Sequence, residues 1–182
     1  ASHMHQLNRT TVLFTSPHLV RIEERIRLDG RPISAQQFDA YLYDIMEIES
    51  SMNEQLTFFE ITFLVACLCA SRNDVDVFIV ETGLGGRYDA TRILPADVSV
   101  ITSLSLEHRD ILGDTLAGIA AEKAAIARPG KPLVVRSVDD TAAKEAIEYE
   151  ARHAGRSELG EAHGASFVEW ISIPEEASFN QE

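Results

Sequence analysis

Residues 77–92 read VFIVETGLGGRYDATR. The run from Val77 to Val80 is apolar without alternation, ends at Glu81 and passes into Gly83, Gly85 and Gly86. A short continuous apolar run closed by a turn signal is the pattern of a strand covered on both faces, which belongs to a parallel sheet. The turn itself is open to four readings: a phosphate cradle, a grip on a flat ring, a metal anchor through Glu81, or a plain reversal of the chain.

Working outward, the same pattern recurs. TVLFT (11–15) is a β-rich run stopped by SPHL, where Pro17 lacks an amide donor and holds Ser16 extended. RIRLDGRPIS carries Asp29-Gly30, a dipeptide suited to the positive φ angles of a tight hairpin. Ser34 with Gln37, and Thr57 with Glu60, are capping boxes. The first opens a helix with Phe38, Leu42, Ile45 and Met46 on its apolar face; the second opens a helix apolar nearly all round, hence buried. Beyond VDVFIV (75–80) come strands at VSVITS (98–103), PLVV (132–135) and SFVEWI (166–171), alternating with helices at 115–127 and 141–154. This order predicts an α/β fold: a three-layer, mostly parallel sheet with helices on both faces, plus a small β-hairpin. Ligands of such sheets sit beyond the carboxyl ends of strands, which selects the loops 16–18, 81–89 and 105–110.

Composition narrows the function. The 182 residues hold 29 acids against 16 lysines and arginines, a formal charge of -13, which leaves no basic surplus to displace counterions from nucleic acid or an acidic membrane. Cys67 and Cys69 sit two apart in an apolar segment, a spacing that fits neither a disulfide framework nor a C-x-x-C site, and they read as reduced core residues. No signal peptide is visible and the longest apolar block is too short to span a bilayer, so a cytoplasmic location is expected. ASHM resembles a cloning scar, giving expected segments of 1–3 (scar), 4–173 (one domain) and 174–182 (flexible tail).

GLGGRY has Tyr88 where a dinucleotide fingerprint needs its third glycine, and nowhere does the chain supply G-x-x-x-x-G-K-[ST]. Glu81 at a strand end is placed like an acid that holds Mg²⁺, while a solvated acid on a glycine turn is an equally good reading of these residues alone. Taken singly, Ser16 and His18, His108, Lys123 and Glu60 each read as ordinary: loop polar groups, an exposed helix lysine, a cap.

In succession, TSPHLVRIEERIRLDGRPIS, LTFFE, IVETGLGGRYDAT, ADVSVITSLSLEHRDILG and IAAEKAAIARPGKP resemble the folylpolyglutamate synthase/dihydrofolate synthase family of the Mur ligase superfamily, over about Val12 to Val135. The resemblance implies a central ATPase domain of a ligase that joins glutamate to a folate or dihydropteroate carboxyl through an acyl phosphate, with ATP as substrate and Mg²⁺ as cofactor. It implies Mg²⁺ ligation by Ser16, Glu81 and His108, a carbamylated Lys123 facing the metal, catalytic roles for Lys123 and His108, and a pterin pocket from Thr57, Phe58, Phe59, Glu60, Tyr88, Asp89 and Ala90. Glu107 and Ala125 depart from the family's usual aspartate and glycine. The family's G-T-N-G-K-G-[ST] loop, its downstream ATP-contacting segment and its glutamate-binding domain have no counterpart in these residues. The expectations that follow are no ligase turnover by this chain alone and a homodimer formed through unpaired sheet edges. Two other readings compete: a non-catalytic truncated paralogue that binds folate or metal or is structural, and a Mur-type ligase for another substrate.

Overall fold

The computed structural model describes residues 1–107, 112–154 and 164–172. The chain divides into two compact units, Ala1–Gly83 and Leu84–Glu182, and the division falls inside the glycine turn. Among the described residues the strands form two sheets, one mixed and one parallel, so the α/β class with mostly parallel pairing stands.

In the first unit the sheet runs β3-β2-β1-β4, with β1 at Thr11–Phe14, β2 at Ile26–Leu28, β3 at Arg31–Pro32 and β4 at Val77–Val80. The β2–β3 hairpin turns through Asp29 (φ 48°) and Gly30 (φ 80°), the paired left-handed residues that match the strand twist. β1 and β4 are parallel, Phe14 opposite Val80, and the crossover between β3 and β4 carries α2 (Ala35–Glu49) and α3 (Phe58–Arg72). Both capping boxes form as the sequence predicts, Ser34 with Gln37 and Thr57 with Glu60. A short helix, α1 (Ser2–Gln6), precedes β1. Phe14 is fully buried, its ring 5.7 Å from that of Phe59 and 5.8 Å from that of Phe63, which seats α3 on β1. Burial of each such side chain contributes roughly 1.5–3 kcal/mol. The buried face of α2 is Phe38, Tyr41 and Ile45 rather than the predicted set: Leu42 is half-buried and Met46 is 45% exposed. Tyr41 lies one turn from both Phe38 and Ile45 and takes the central place, with the Arg72 guanidinium 5.2 Å above its ring.

In the second unit β5 (Ser99–Ile101), β6 (Pro132–Arg136) and β7 (Phe167–Ile171) are parallel in sequence order. They are joined through α4 (Leu116–Ala124) and α5 (Thr141–His153). Ile101, Leu133 and Val135 meet Ala120, Ala124, Ala143, Ile147 and Ala151 in one cluster. The alanines leave the two helices little side-chain bulk at this contact, so they pack closely side by side over the sheet. Thr115 and Asp140 cap the helices by accepting from the amides of Gly118 and Ala143. The predicted tail, 174–182, lies outside the described residues.

Candidate functional site

Parallel strands deliver their carboxyl ends to one edge of a sheet, and β1 and β4 do so here. The amide of Ser16 donates to Glu81 Oε2 at 2.8 Å, while the amide of Glu81 donates to the carbonyl of Phe14 at 3.0 Å. The two residues thus extend the β1–β4 pairing past its last register pair. Glu81 is exposed, and among the described residues neither its second oxygen nor the Ser16 hydroxyl has a hydrogen-bond partner. A hydroxyl and a carboxylate carried at neighbouring strand ends are oxygen donors of the kind Mg²⁺ takes, so the residue types here fit the implied metal. The Ser16–Pro17 peptide is cis.

His108 lies outside the described residues. Lys123 is half-buried near the end of α4, and its ammonium pairs with no described residue. Among the described residues no three His, Cys, Asp or Glu side chains gather as a metal cluster.

The residues proposed to line a ring pocket divide by role. Thr57 accepts from the Glu60 amide while Glu60 accepts from the Thr57 amide at 2.7 Å, and that bond holds the Glu60 carboxyl below its ordinary value. Their polar atoms are engaged in the cap. Phe59 is packed inward, and a Cβ on Gly83 would stand 2.7 Å from its ring, so only a glycine lets the turn pass at that point. Phe58 is 55% exposed.

In the second unit Asp89 caps the 3-10 turn Ala90–Ile93 by accepting from the Thr91 amide, and also accepts from the Leu84 amide at 3.0 Å. That fixes Tyr88, 92% exposed, at the mouth of a cleft of about 490 Å³ lined by Arg87, Tyr88, Asp89, Ala90, Arg92 and Arg128 among others. Arg87 donates to Glu122 at 2.9 Å and Glu150 at 2.8 Å, and these two bonds hold its guanidinium above the ordinary range. Arg92 and Arg128 cap the end of α4 by donating to the carbonyls of Ala125 and Ile126.

Sequence reading missed Arg25. It is 8% exposed, donates from Nε to His18 Nδ1 at 2.9 Å and lies 5.1 Å from the centre of the Phe58 ring. In the charged string RIEERIR nothing distinguishes it from its exposed neighbours. The one usable signal is its place directly before the β2 run, opposite the end of β1.

No family model matches the chain. Among curated proteins it is 44% identical over 124 residues to the dihydrofolate synthase/folylpolyglutamate synthase of Escherichia coli K12, matching 68% of this chain and 29% of that protein. To the Bacillus subtilis protein of the same description it is 38% identical over 159 residues, 84% of this chain and 37% of the relative. The chain therefore spans roughly a third of the length of these relatives. Among solved structures it resembles Escherichia coli FolC in complex with DHPP and ADP, at TM-score 0.77 and 32% identity over 92% of this chain and 37% of that one. It resembles Mycobacterium tuberculosis folylpolyglutamate synthase with ADP and AMPPCP at TM-score 0.78 and 34% identity, over 92% of this chain and 38% of that one. A Yersinia pestis relative with AMPPNP and Mn ion matches at TM-score 0.77 and 33% identity, over 91% and 37%.

Proposed function

Because the chain belongs to the folylpolyglutamate synthase/dihydrofolate synthase family, we propose that it forms part of the central domain of an ATP-dependent ligase that joins glutamate to a folate or dihydropteroate. The observation that carries this reading is the bond from the Ser16 amide to the Glu81 carboxylate, which joins these two oxygen-bearing residues at the strand ends where such a sheet binds its ligands.

In the proposed reaction the ligand carboxyl attacks the γ-phosphorus of ATP, ADP leaves, and the resulting acyl phosphate is attacked by the glutamate amine with loss of phosphate. Phosphoryl transfer of this kind depends on positioning and on neutralising charge as it develops. Ser16, Glu81 and His108 would hold Mg²⁺, which supplies that neutralisation when bound. Lys123, once carbamylated, would present an anionic oxygen in place of an ammonium, and its lack of a partner among the described residues leaves it available. Phe58 and Tyr88 offer exposed rings to a pterin, with Asp89 and Ala90 beside the second.

Two further proposals accompany this one. These 182 residues contain no G-x-x-x-x-G-K-[ST] loop, so the chain alone should give no ATP- and glutamate-dependent extension of a folate, and clear turnover would overturn that expectation. Among the described residues β4 and β5 each pair with a strand on one side only, and pairing through such edges would give a homodimer; a monomeric mass by light scattering at micromolar protein counts against it. The central test is calorimetric titration of dihydropteroate into the protein with Mg²⁺ present. Saturable binding that weakens in Phe58→Ala supports the reading, and no heat at millimolar ligand sinks it.

A further inference from the structure

A guanidinium does not deprotonate in a protein, so burying one removes a permanent charge from water, and such charges are ordinarily paired with an acid. Arg25 is 8% exposed and makes no ion pair with any described residue. The two acids that precede it in the chain are committed elsewhere. Glu23 accepts from Arg21 at 2.8 and 3.3 Å. Glu24 accepts from the amides of Leu19 at 2.9 Å and Arg21 at 3.1 Å, closing the loop after Ser16. Burial lowers the Arg25 pKa, and no carboxylate acts to raise it.

What Arg25 does have is a neutral acceptor and a ring. His18 takes its Nε–H through Nδ1, so the histidine hydrogen sits on Nε2, a second donor carried by the same bonded pair. Phe58 underlies the cation while remaining 55% exposed, and Leu19 and Val20, in the same loop as His18, are 93% and 82% exposed. A buried cation without its anion, joined to apolar groups open to solvent, is half of an amphipathic recognition surface.

We propose that Arg25 anchors an oxyanion, carboxylate or phosphate, borne by a flat apolar ligand that rests against Phe58. Arg25 and the Nε2–H of His18 supply the donors, and Phe58 supplies the apolar wall. This deepens the folate reading and rests on it only for the identity of the flat body.

The test uses the full chain and four calorimetric titrants: benzoate, phenylphosphate, benzyl alcohol and dihydropteroate. Benzoate or phenylphosphate should bind where benzyl alcohol does not, and the stronger of the two identifies the anion. Arg25→Met should weaken that binding roughly tenfold or more, because the ligand charge loses its only buried partner. The free variant should melt at the same temperature as the parent or higher, since an unpaired buried charge has been replaced by an apolar chain of similar length. If Arg25→Met does not fold, Arg25→Lys keeps the charge without the planar fork and should still bind the anions, more weakly than the parent. Equal binding by parent and variant, no anion binding by the parent, or neutral and anionic probes binding alike overturns the inference. Dihydropteroate bound equally by parent and Arg25→Met removes this inference and leaves the folate reading standing. Benzoate binding that depends on Arg25, without dihydropteroate binding, does the reverse.

Discussion

A Cβ placed on Gly86 would lie 2.6 Å from the carbonyl oxygen of Glu122 and 3.0 Å from that of Lys123. The glycine is demanded by contact and not by backbone conformation, since its φ is not in the left-handed region. Gly86→Ala must push the turn off the backbone of α4 and should destabilise by about 1–3 kcal/mol. Gly30→Ala has open space around it but keeps φ at 80°, and should cost about 1 kcal/mol. Urea midpoints of the two variants measure this; a Gly86→Ala protein as stable as the parent shows that the turn is not pressed on the helix.

Arg87 ties the same turn to two helices, through Glu122 on α4 and Glu150 on α5. Arg87→Met leaves two half-buried carboxylates facing each other and should destabilise by about 1–2 kcal/mol. Arg87→Lys should recover only part of that, because an ammonium cannot serve both acids with a planar fork. A double-mutant cycle between Arg87→Met and Glu150→Gln checks it, with a coupling near zero as the adverse result.

Much of this is legible in the sequence, and the reasons differ by residue. Ser34–Gln37, Thr57–Glu60 and Asp29–Gly30 are local devices whose chemistry is complete within four residues, so the sequence contains the whole interaction. The apolar runs of β1, β4 and β6 declare themselves by composition. Tyr41 against Met46 was not legible, because both positions fit a helical stripe and only the neighbouring α3 decides which is covered. Ser16 and Glu81 are 65 residues apart, and nothing short of a motif would pair them. The burial of Arg25 involves Phe58 on α3, and its one local trace is its place directly before β2.

Stability should decline in acid, and the sign follows from three carboxyls. The amide of Thr57 holds Glu60 low, the amides of Leu19 and Arg21 hold Glu24 low, and the amide and hydroxyl of Thr10 hold Asp76 low. A folded value below the unfolded one stabilises above the unfolded value, about 4, and that contribution is lost as pH falls through the folded values. Denaturation midpoints should therefore drop from about pH 4 downward. Glu60→Gln, which keeps an acceptor for the cap, should lessen the drop; a midpoint that rises on acidification is incompatible with these bonds.

The thiols should be inert in the folded protein. Burial pushes Cys67 up to about 11 and raises Cys69, whose side chain is fully buried. Since the thiolate is the reacting species, a thiol reagent at pH 7.5 should modify neither until urea unfolds the chain. Prompt reaction of either cysteine in the native protein would show that α3 opens.

Asp29 does more than turn a hairpin. Its Oδ1 accepts from the amide of Thr11 at 2.8 Å, while Asp76, on the other flank of β1, accepts from the amide and hydroxyl of the adjacent Thr10 at 2.9 and 3.0 Å. The strand is clamped from both sides at its first residues. A slip of one position would turn Val12 and Phe14 outward and carry Ser16 about 3.3 Å along the strand, out of reach of Glu81. The two aspartates act as a datum at one end of a ruler, and the placement of Ser16 ~16 Å away is read from it.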